Sequence, residues 1–324
     1  NGTTTLTASN NYTGGTTVTS GTLKSGATGA FVNSTAYTVN GGTLDLNGND
    51  LTVSSLSGTR VGMSAGTVAL NNATLAVNQA TGTASSYAGV ITGTGTESKL
   101  LKSGAGTFTL SGANSYQGGT TLNAGTLVVG NNGSLGGGAL TVGGASTSTS
   151  TLDSSIAVTL GNKITLNKSL TLAGSQDMTL NGEVSGTGNV ASLVKKGTAN
   201  LTLSGANTYE GGTTLNAGSL TVGNNLALGS GALTVGGAST LDSSTAVTLA
   251  NKVTLNDTLT LGGTNDMTLN GKVSGTASTA RLVKEGGANL TLINANEYEG
   301  GTTLNKGSLT VGNNAALGKG ALTV

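Results

Sequence analysis

The stretch LTLSGANTYEGGTTLNAGSLTVGNN, Leu201 to Asn225, decides the fold, because nearly the same string returns as LTLINANEYEGGTTLNKGSLTVGNN from Leu290 to Asn314. An earlier copy, FTLSGANSYQGGTTLNAGTLVVGNN, starts at Phe108, and a worn one, TTLTASNNYTGGTTVTSGTL, runs from Thr4 to Leu23. Tyr12, Tyr116, Tyr209 and Tyr298 mark the four copies at spacings of 104, 93 and 89 residues. The difference between 93 and 89 matches the extra Ser-Thr pairs of GGASTSTSTLDSS, from Gly143, against GGASTLDSS, from Gly236; beyond that insertion Leu152 to Leu241 is again 89. A long fixed period with loop-sized insertions is the signature of stacked repeats. Such a chain needs no spherical core, so 324 residues are compatible with one domain. We see no linker or composition shift, and expect residues 1–324 to form one continuous segment with marker copies near 4–23, 108–132, 201–225 and 290–314.

Within each run the apolar residues sit two apart, as in Leu201 and Leu203, Leu220 and Val222, Leu233 and Val235, Leu259 and Leu261. That alternation puts Leu and Val on one face of a strand and Thr on the other. No window carries apolar residues at helical spacing long enough to cover a sheet, so the strands must bury their apolar faces against each other. Glycine, at 56 residues, and asparagine between the runs supply the positive φ that abrupt corners need. Two architectures satisfy these demands. Asn40-Gly41, Asn47-Gly48 and Asn270-Gly271 hint at hairpins and hence a sandwich. The 89-residue period, divided into about four coils of roughly 22 residues with three short runs each, suits a solenoid better. The expected fold is all-β: a right-handed parallel β-helix, a single-stranded solenoid of short three-strand coils. At about 4.8 Å per coil, about 15 coils predict a rod of order 70 Å.

Proline, cysteine, histidine and tryptophan are absent. Every residue can therefore donate to a sheet ladder, and neither a disulfide framework nor a thiolate metal site can form. A net charge of +1, spread over isolated lysines, provides no basic stripe, so nucleic acid and anionic lipid are not expected as partners. No stretch approaches 18 consecutive apolar residues, and direct membrane insertion is not expected.

Catalytic signals are thin. Gly62-Met63-Ser64-Ala65-Gly66 matches G-x-S-x-G, yet the usual base of a Ser-His-Asp relay is missing from a chain without histidine. Gly186-Thr187-Gly188-Asn189-Val190-Ala191 fits a loosened dinucleotide fingerprint, but no helix is expected after it and GTASTA from Gly275 lacks the second glycine. The acids recur with the repeat instead of clustering: Asp153 with Asp242, Asp177 with Asp266, Glu210 with Glu299. A glycan-cleaving β-helix needs its carboxylates together, and the recurrence points to structural duty. The calcium nonapeptide G-G-x-G-x-D is absent. The expectation is no enzyme, with no catalytic, cofactor or metal residues and no cofactor. Asn131-Asn132, Asn224-Asn225 and Asn313-Asn314 read as turn residues whose side chains bond nearby backbone. The tyrosines, each followed one residue later by Gly-Gly, read as covers over a turn, with exposed binding aromatics as the competing reading.

KLLKSGAGTFTLSGANSYQGGTTLNAGTLVVGNN, Lys99 to Asn132, closely resembles the passenger-associated transport repeat of bacterial autotransporter proteins. YTVNGGTLDLNGNDLTVSSLSG, from Tyr37, and YAGVITGTGTESKLLKSG, from Tyr87, are similar to the same family, whereas LVKKGTANLTLSG and LVKEGGANLTLIN depart from its regular glycine spacing. The resemblance implies a passenger domain folded as a right-handed β-helix and carried across a Gram-negative outer membrane by its own C-terminal β-barrel. The aromatic girdles of such a barrel do not occur in these residues. It further implies localisation at the bacterial cell surface, exported or released. The partners expected are host surface or matrix receptors, or like molecules on neighbouring cells. The leading function is adhesion or self-association; the alternative is a structural spacer that presents a distal domain.

Overall fold

The computed structural model describes residues 2–59, 65–144 and 148–324. Among these the chain is all-β, without helix, and its parallel strands stack as a β-solenoid of about 16 turns. Contacts divide it into two compact units, Asn1–Val158 with Asn162–Thr165, and Thr159–Gly161 with Leu166–Val324.

In unit 1 the strands fall on three faces. One face stacks Thr22–Ser25, Thr43–Asp45, Thr67–Ala69 and Val90–Thr92; the next stacks Leu51–Val53, Thr74–Asn78, Lys99–Ser103, Thr120–Leu122 and Leu140–Val142; the third carries Ala84–Tyr87, Thr107–Leu110, Gly125–Val129 and Ser150–Ser154. Because side chains alternate across a strand, a triplet such as Leu140–Val142 turns its two outer residues inward and its threonine outward, a burial shared by Leu51–Val53, Leu170–Leu172 and Leu233–Val235. Register then aligns like with like in columns, as in Leu44, Val68 and Ile91. Each fully buried Leu, Ile or Val contributes about 1.5–3 kcal/mol relative to exposure.

Unit 2 repeats the plan. Its first face stacks Leu170–Leu172, Leu193–Lys195, Thr213–Leu215, Leu233–Val235, Val253–Leu255 and Val273–Gly275. The second stacks Met178–Leu180, Asn200–Leu203, Ser219–Val222, Ser239–Ser243, Leu259–Leu261, Leu282–Lys284 and Thr302–Leu304. The third carries Val247–Leu249, Met267–Leu269, Asn289–Leu292 and Ser308–Val311.

Asn47 and Gly48 do adopt the two positive φ values of a type I′ turn. They nevertheless join Thr43–Asp45 and Leu51–Val53, which lie in different sheets, so the turn makes a solenoid corner and not a hairpin.

The period divides differently from the expected four coils. Leu193, Thr213, Leu233, Val253 and Val273 pair successively on one face, which is four coils, and the chain then moves to the next face before the counterpart of Leu193 arrives as Leu282. Successive residues on the second face, Leu201, Leu220, Leu241 and Leu261, lie only 19, 21 and 20 residues apart. Coils shorter than 22 residues let 89 residues make four turns and a third. Copy 4 is therefore rotated by one face relative to copy 3. The tyrosine segment shows the same step: Thr208–Glu210 of copy 3 crosses the third face, whereas Glu297–Tyr298 of copy 4 pairs with Ser274 and Gly275 on the first.

Candidate functional site

Copies 2 and 3 break a face for two coils with the segments S-G-A-N-x-Y-x-G-G and N-N-x-x-L-G, copy 4 keeps a short strand at its tyrosine, and in each the polar residues of the repeat gather at this corner. In copy 3 the gap on the third face is spanned by hydrogen bonds without regular strand: Thr208 N donates to Val184 O at 2.9 Å and Ser230 N to Tyr209 O at 3.0 Å. Gly212, at φ +80°, turns the chain out of the gap, and a Cβ there would collide with Ala232 O.

A buried asparagine ties three coils together. Asn207 Oδ1 accepts from Val184 N at 2.8 Å in the preceding coil, while its Nδ2 donates to Ala227 O at 2.6 Å in the following one. Asn114 does the same between Ile91 N and Ser134 O, and Asn296 between Val273 N and Ala316 O. Abandoned backbone groups are thereby satisfied where the sheet stops.

Tyr116, Tyr209 and Tyr298 are fully buried beneath the corner. Their hydroxyls meet Thr120, Thr213 and Thr302 Oγ1 at 2.6, 2.6 and 2.5 Å. Burial raises the pKa of each phenol. They cover the turn and offer no aromatic surface. Tyr12 of the worn copy is half-buried and reaches Thr16 Oγ1 at 2.9 Å.

Three lysines form the feature that sequence reading missed. Lys102, Lys195 and Lys284 are no more than 1% exposed. Lys102 stands in the inward column between Val77 and Leu122, Lys195 between Leu172 and Leu215, and Lys284 between Leu261 and Leu304. Each ammonium sits in a cage of three backbone carbonyls. Lys102 Nζ donates to Ser103 O, Gly104 O and Ala124 O at 3.0, 2.8 and 3.2 Å. Lys195 Nζ donates to Lys196 O, Gly197 O and Ala217 O at 2.7, 2.9 and 3.3 Å. Lys284 Nζ meets Glu285 O, Gly286 O and Lys306 O. Burial opposes the charge and lowers all three pKa values, that of Lys102 to about 8. The signal was present in the sequence: L-L-K, L-V-K and L-V-K place lysine two residues after an inward leucine, on the core side of the strand.

The recurring acids are dispersed, as their spacing indicated. Asp177 and Asp266 Oδ1 accept from Asn200 N and Asn289 N of the next coil, both at 2.8 Å. Asp242 takes Ser243 N and Thr264 N. Glu210 Oε2 takes Gly188 N at 2.6 Å, and Glu299 pairs with Lys319. Asp153 lies across from Val128 on its own strand row. Asn131, Asn224 and Asn313 are turn residues: each Oδ1 accepts the N–H two residues on at 2.9 Å. Gly186–Ala191 leads into Leu193–Lys195, a strand. Gly62, Met63 and Ser64 of the G-x-S-x-G match lie outside the described residues.

A family model described as passenger-associated-transport-repeat matches residues 1–24, 100–129, 193–222 and 282–311, so each match covers the caged-lysine or tyrosine part of one copy. No curated protein and no solved structure matches the chain.

Proposed function

We propose, from its four matches to the passenger-associated-transport-repeat model, that this chain is an autotransporter passenger, exposed by way of the outer membrane and carried by a translocator barrel, and that it is a non-enzymatic adhesive or self-associating surface protein. The observation that carries this reading is the division of labour across each strand. The buried asparagines, tyrosines and lysines of the repeat are spent inside the solenoid on backbone groups and threonine hydroxyls, while the outward positions form rows of small hydroxyls. On the first face of unit 2 Thr171, Thr214, Thr234, Thr254 and Ser274 stand outward, interrupted by Val194; on the second Thr179, Thr202 and Thr221 follow in register. Rungs about 4.8 Å apart present uncharged donors and acceptors at a spacing that suits many weak lateral contacts. Such contacts add through multiplicity. Host surface or matrix receptors, or like molecules on neighbouring cells, are the partners this surface fits.

Displaying the passenger on a non-adherent, non-aggregating cell tests the reading. Cells that settle faster or bind a host monolayer support it; cells that do neither overturn it.

A spacer role is the second reading, favoured by copies that are self-sufficient inside. Removing one 89-residue unit preserves every coil-to-coil neighbour but rotates the downstream coils by a third of a turn. A pure spacer keeps its binding after that deletion, whereas an adhesive surface loses part of it.

A further inference from the structure

Where copy 3 interrupts the third face of unit 2, the surface sinks into a depression of about 420 Å³ lined by Asn207, Thr208, Asn225, Leu226, Ser230 and Asn251 among others. That volume falls in the range of small-ligand sites. Asn251 is only 8% exposed. Its Nδ2 spends both hydrogens on Gly229 O and Gly231 O, at 3.0 and 2.7 Å, which sets the amide and leaves Oδ1 at the depression without a protein donor. Asn225 is the complement: Oδ1 accepts Thr248 N at 2.8 Å, and both Nδ2 hydrogens remain to be given. The Ser230 hydroxyl is exposed beside them. Leu226, 54% exposed, supplies an apolar ledge at the same rim. No charged side chain lines the depression, and the Glu183 carboxylate at its margin is met by Thr208 Oγ1 at 3.3 Å.

Copy 2 repeats the set amide, Asn162 Nδ2 donating to Gly136 O and Gly138 O at 3.0 and 2.7 Å, but the rim differs between copies. Copy 2 has Gly133 and Gly137 where copy 3 has Leu226 and Ser230. Copy 4 has Glu297 and Lys319 where copy 3 has Thr208 and Ser230, and both are ion-paired, with Lys272 and Glu299. The shared scaffold tolerates any of these residues, so the pairing of an apolar ledge at Leu226 with a hydroxyl at Ser230 is particular to copy 3.

We propose that this depression binds an uncharged saccharide of one or two pyranose rings. A pyranose presents vicinal hydroxyls that donate and accept at once, which answers the unspent Asn251 acceptor, the Asn225 donors and the Ser230 hydroxyl. Its C–H face is apolar enough to lie on Leu226, and a lining made of neutral residues favours an uncharged ligand over an ionic one. The inference rests on the adhesive reading and gives it a ligand class.

The test uses the full chain. Ligand-observed saturation-transfer NMR and titration with lactose, maltose and diacetylchitobiose are compared with 3′-sialyllactose and a heparin disaccharide. At least one neutral probe binds, and the double variant Leu226→Gly, Ser230→Gly, which installs the residues of copy 2, weakens it by about tenfold or more. Ala315→Gly in copy 4 leaves binding unchanged. Absence of transfer from all neutral probes at millimolar concentration overturns the proposal, as does binding indifferent to the double variant or confined to the charged probes. Cells that adhere through a passenger deaf to saccharides overturn this inference alone; cells that fail to adhere overturn the adhesive reading whatever the NMR shows.

Discussion

The corner of copy 2, NNGSLGGG at Asn131–Gly138, and that of copy 3, NNLALGSG at Asn224–Gly231, are alike inside and unlike outside. Beneath both lie a buried tyrosine bonded to threonine at 2.6 Å, an asparagine bridging the coils before and after it, and a lysine in a carbonyl cage. On top, glycine in one is leucine or serine in the other. Interior polar groups are held by the cost of leaving backbone carbonyls and amides unpaired, while a turn residue facing water bears no such cost. The repeat therefore keeps its hydrogen-bond plumbing from copy to copy and leaves its surface free to differ.

Matched variants in the two copies can break that comparison. The largest effect is expected from Lys102→Met and Lys195→Met: each keeps the hydrocarbon stem but abandons three buried carbonyls, for about 3 kcal/mol or more. Urea unfolding should show similar losses for both; a silent variant in one copy would show that the cage is not shared scaffold. Next come Asn114→Ala and Asn207→Ala, which orphan one N–H and one C=O each, at about 2–4 kcal/mol, read by the same denaturation series.

The pH dependence sharpens the lysine half of the comparison. Folding lowers the Lys102 pKa to about 8, whereas the unfolded chain keeps the ordinary value near 10.4. Between those values the unfolded state binds more protons, so stability rises as pH climbs from about 8 towards 10. Tyrosine works the other way: the folded phenols resist ionisation, the unfolded ones do not, and stability falls once pH passes about 10. Melting temperature against pH should therefore peak on the alkaline side, and Lys102→Met should remove part of the rise. The smallest effect belongs to the surface. Leu226→Gly with Ser230→Gly should change the unfolding free energy by no more than about 0.5 kcal/mol, although the same pair is expected to weaken saccharide binding by about tenfold or more.

Much of the fold was legible because it repeats. Leu-x-Leu and Leu-x-Val triplets, cut by Gly and Asn at regular intervals, leave stacked parallel coils as the arrangement that buries every apolar face without helices. The turn role of Asn131, Asn224 and Asn313, the burial of the tyrosines and the dispersal of the acids followed from their fixed places in the repeat. Lys195 was passed over because a lone lysine is ordinarily solvated; its inward position was written in L-V-K, but its compensation, a glycine-turn carbonyl cage closed by Ala217 of the next coil, was not. The copy 3 depression was illegible for a related reason: Asn207, Asn225 and Asn251 come from three coils, and only stacking brings them together.

The sequence by itself determined the period, the alternation and hence the parallel solenoid, since these depend on local spacing and on which side chains avoid water. Tertiary structure alone decided that 89 residues make four coils and a third, because the length of each coil is set by how tightly its corners turn against the coil below. That fraction puts copy 4 on a different face from copy 3, and the same stacking decides which amide groups are consumed by neighbouring coils and which remain to meet a ligand.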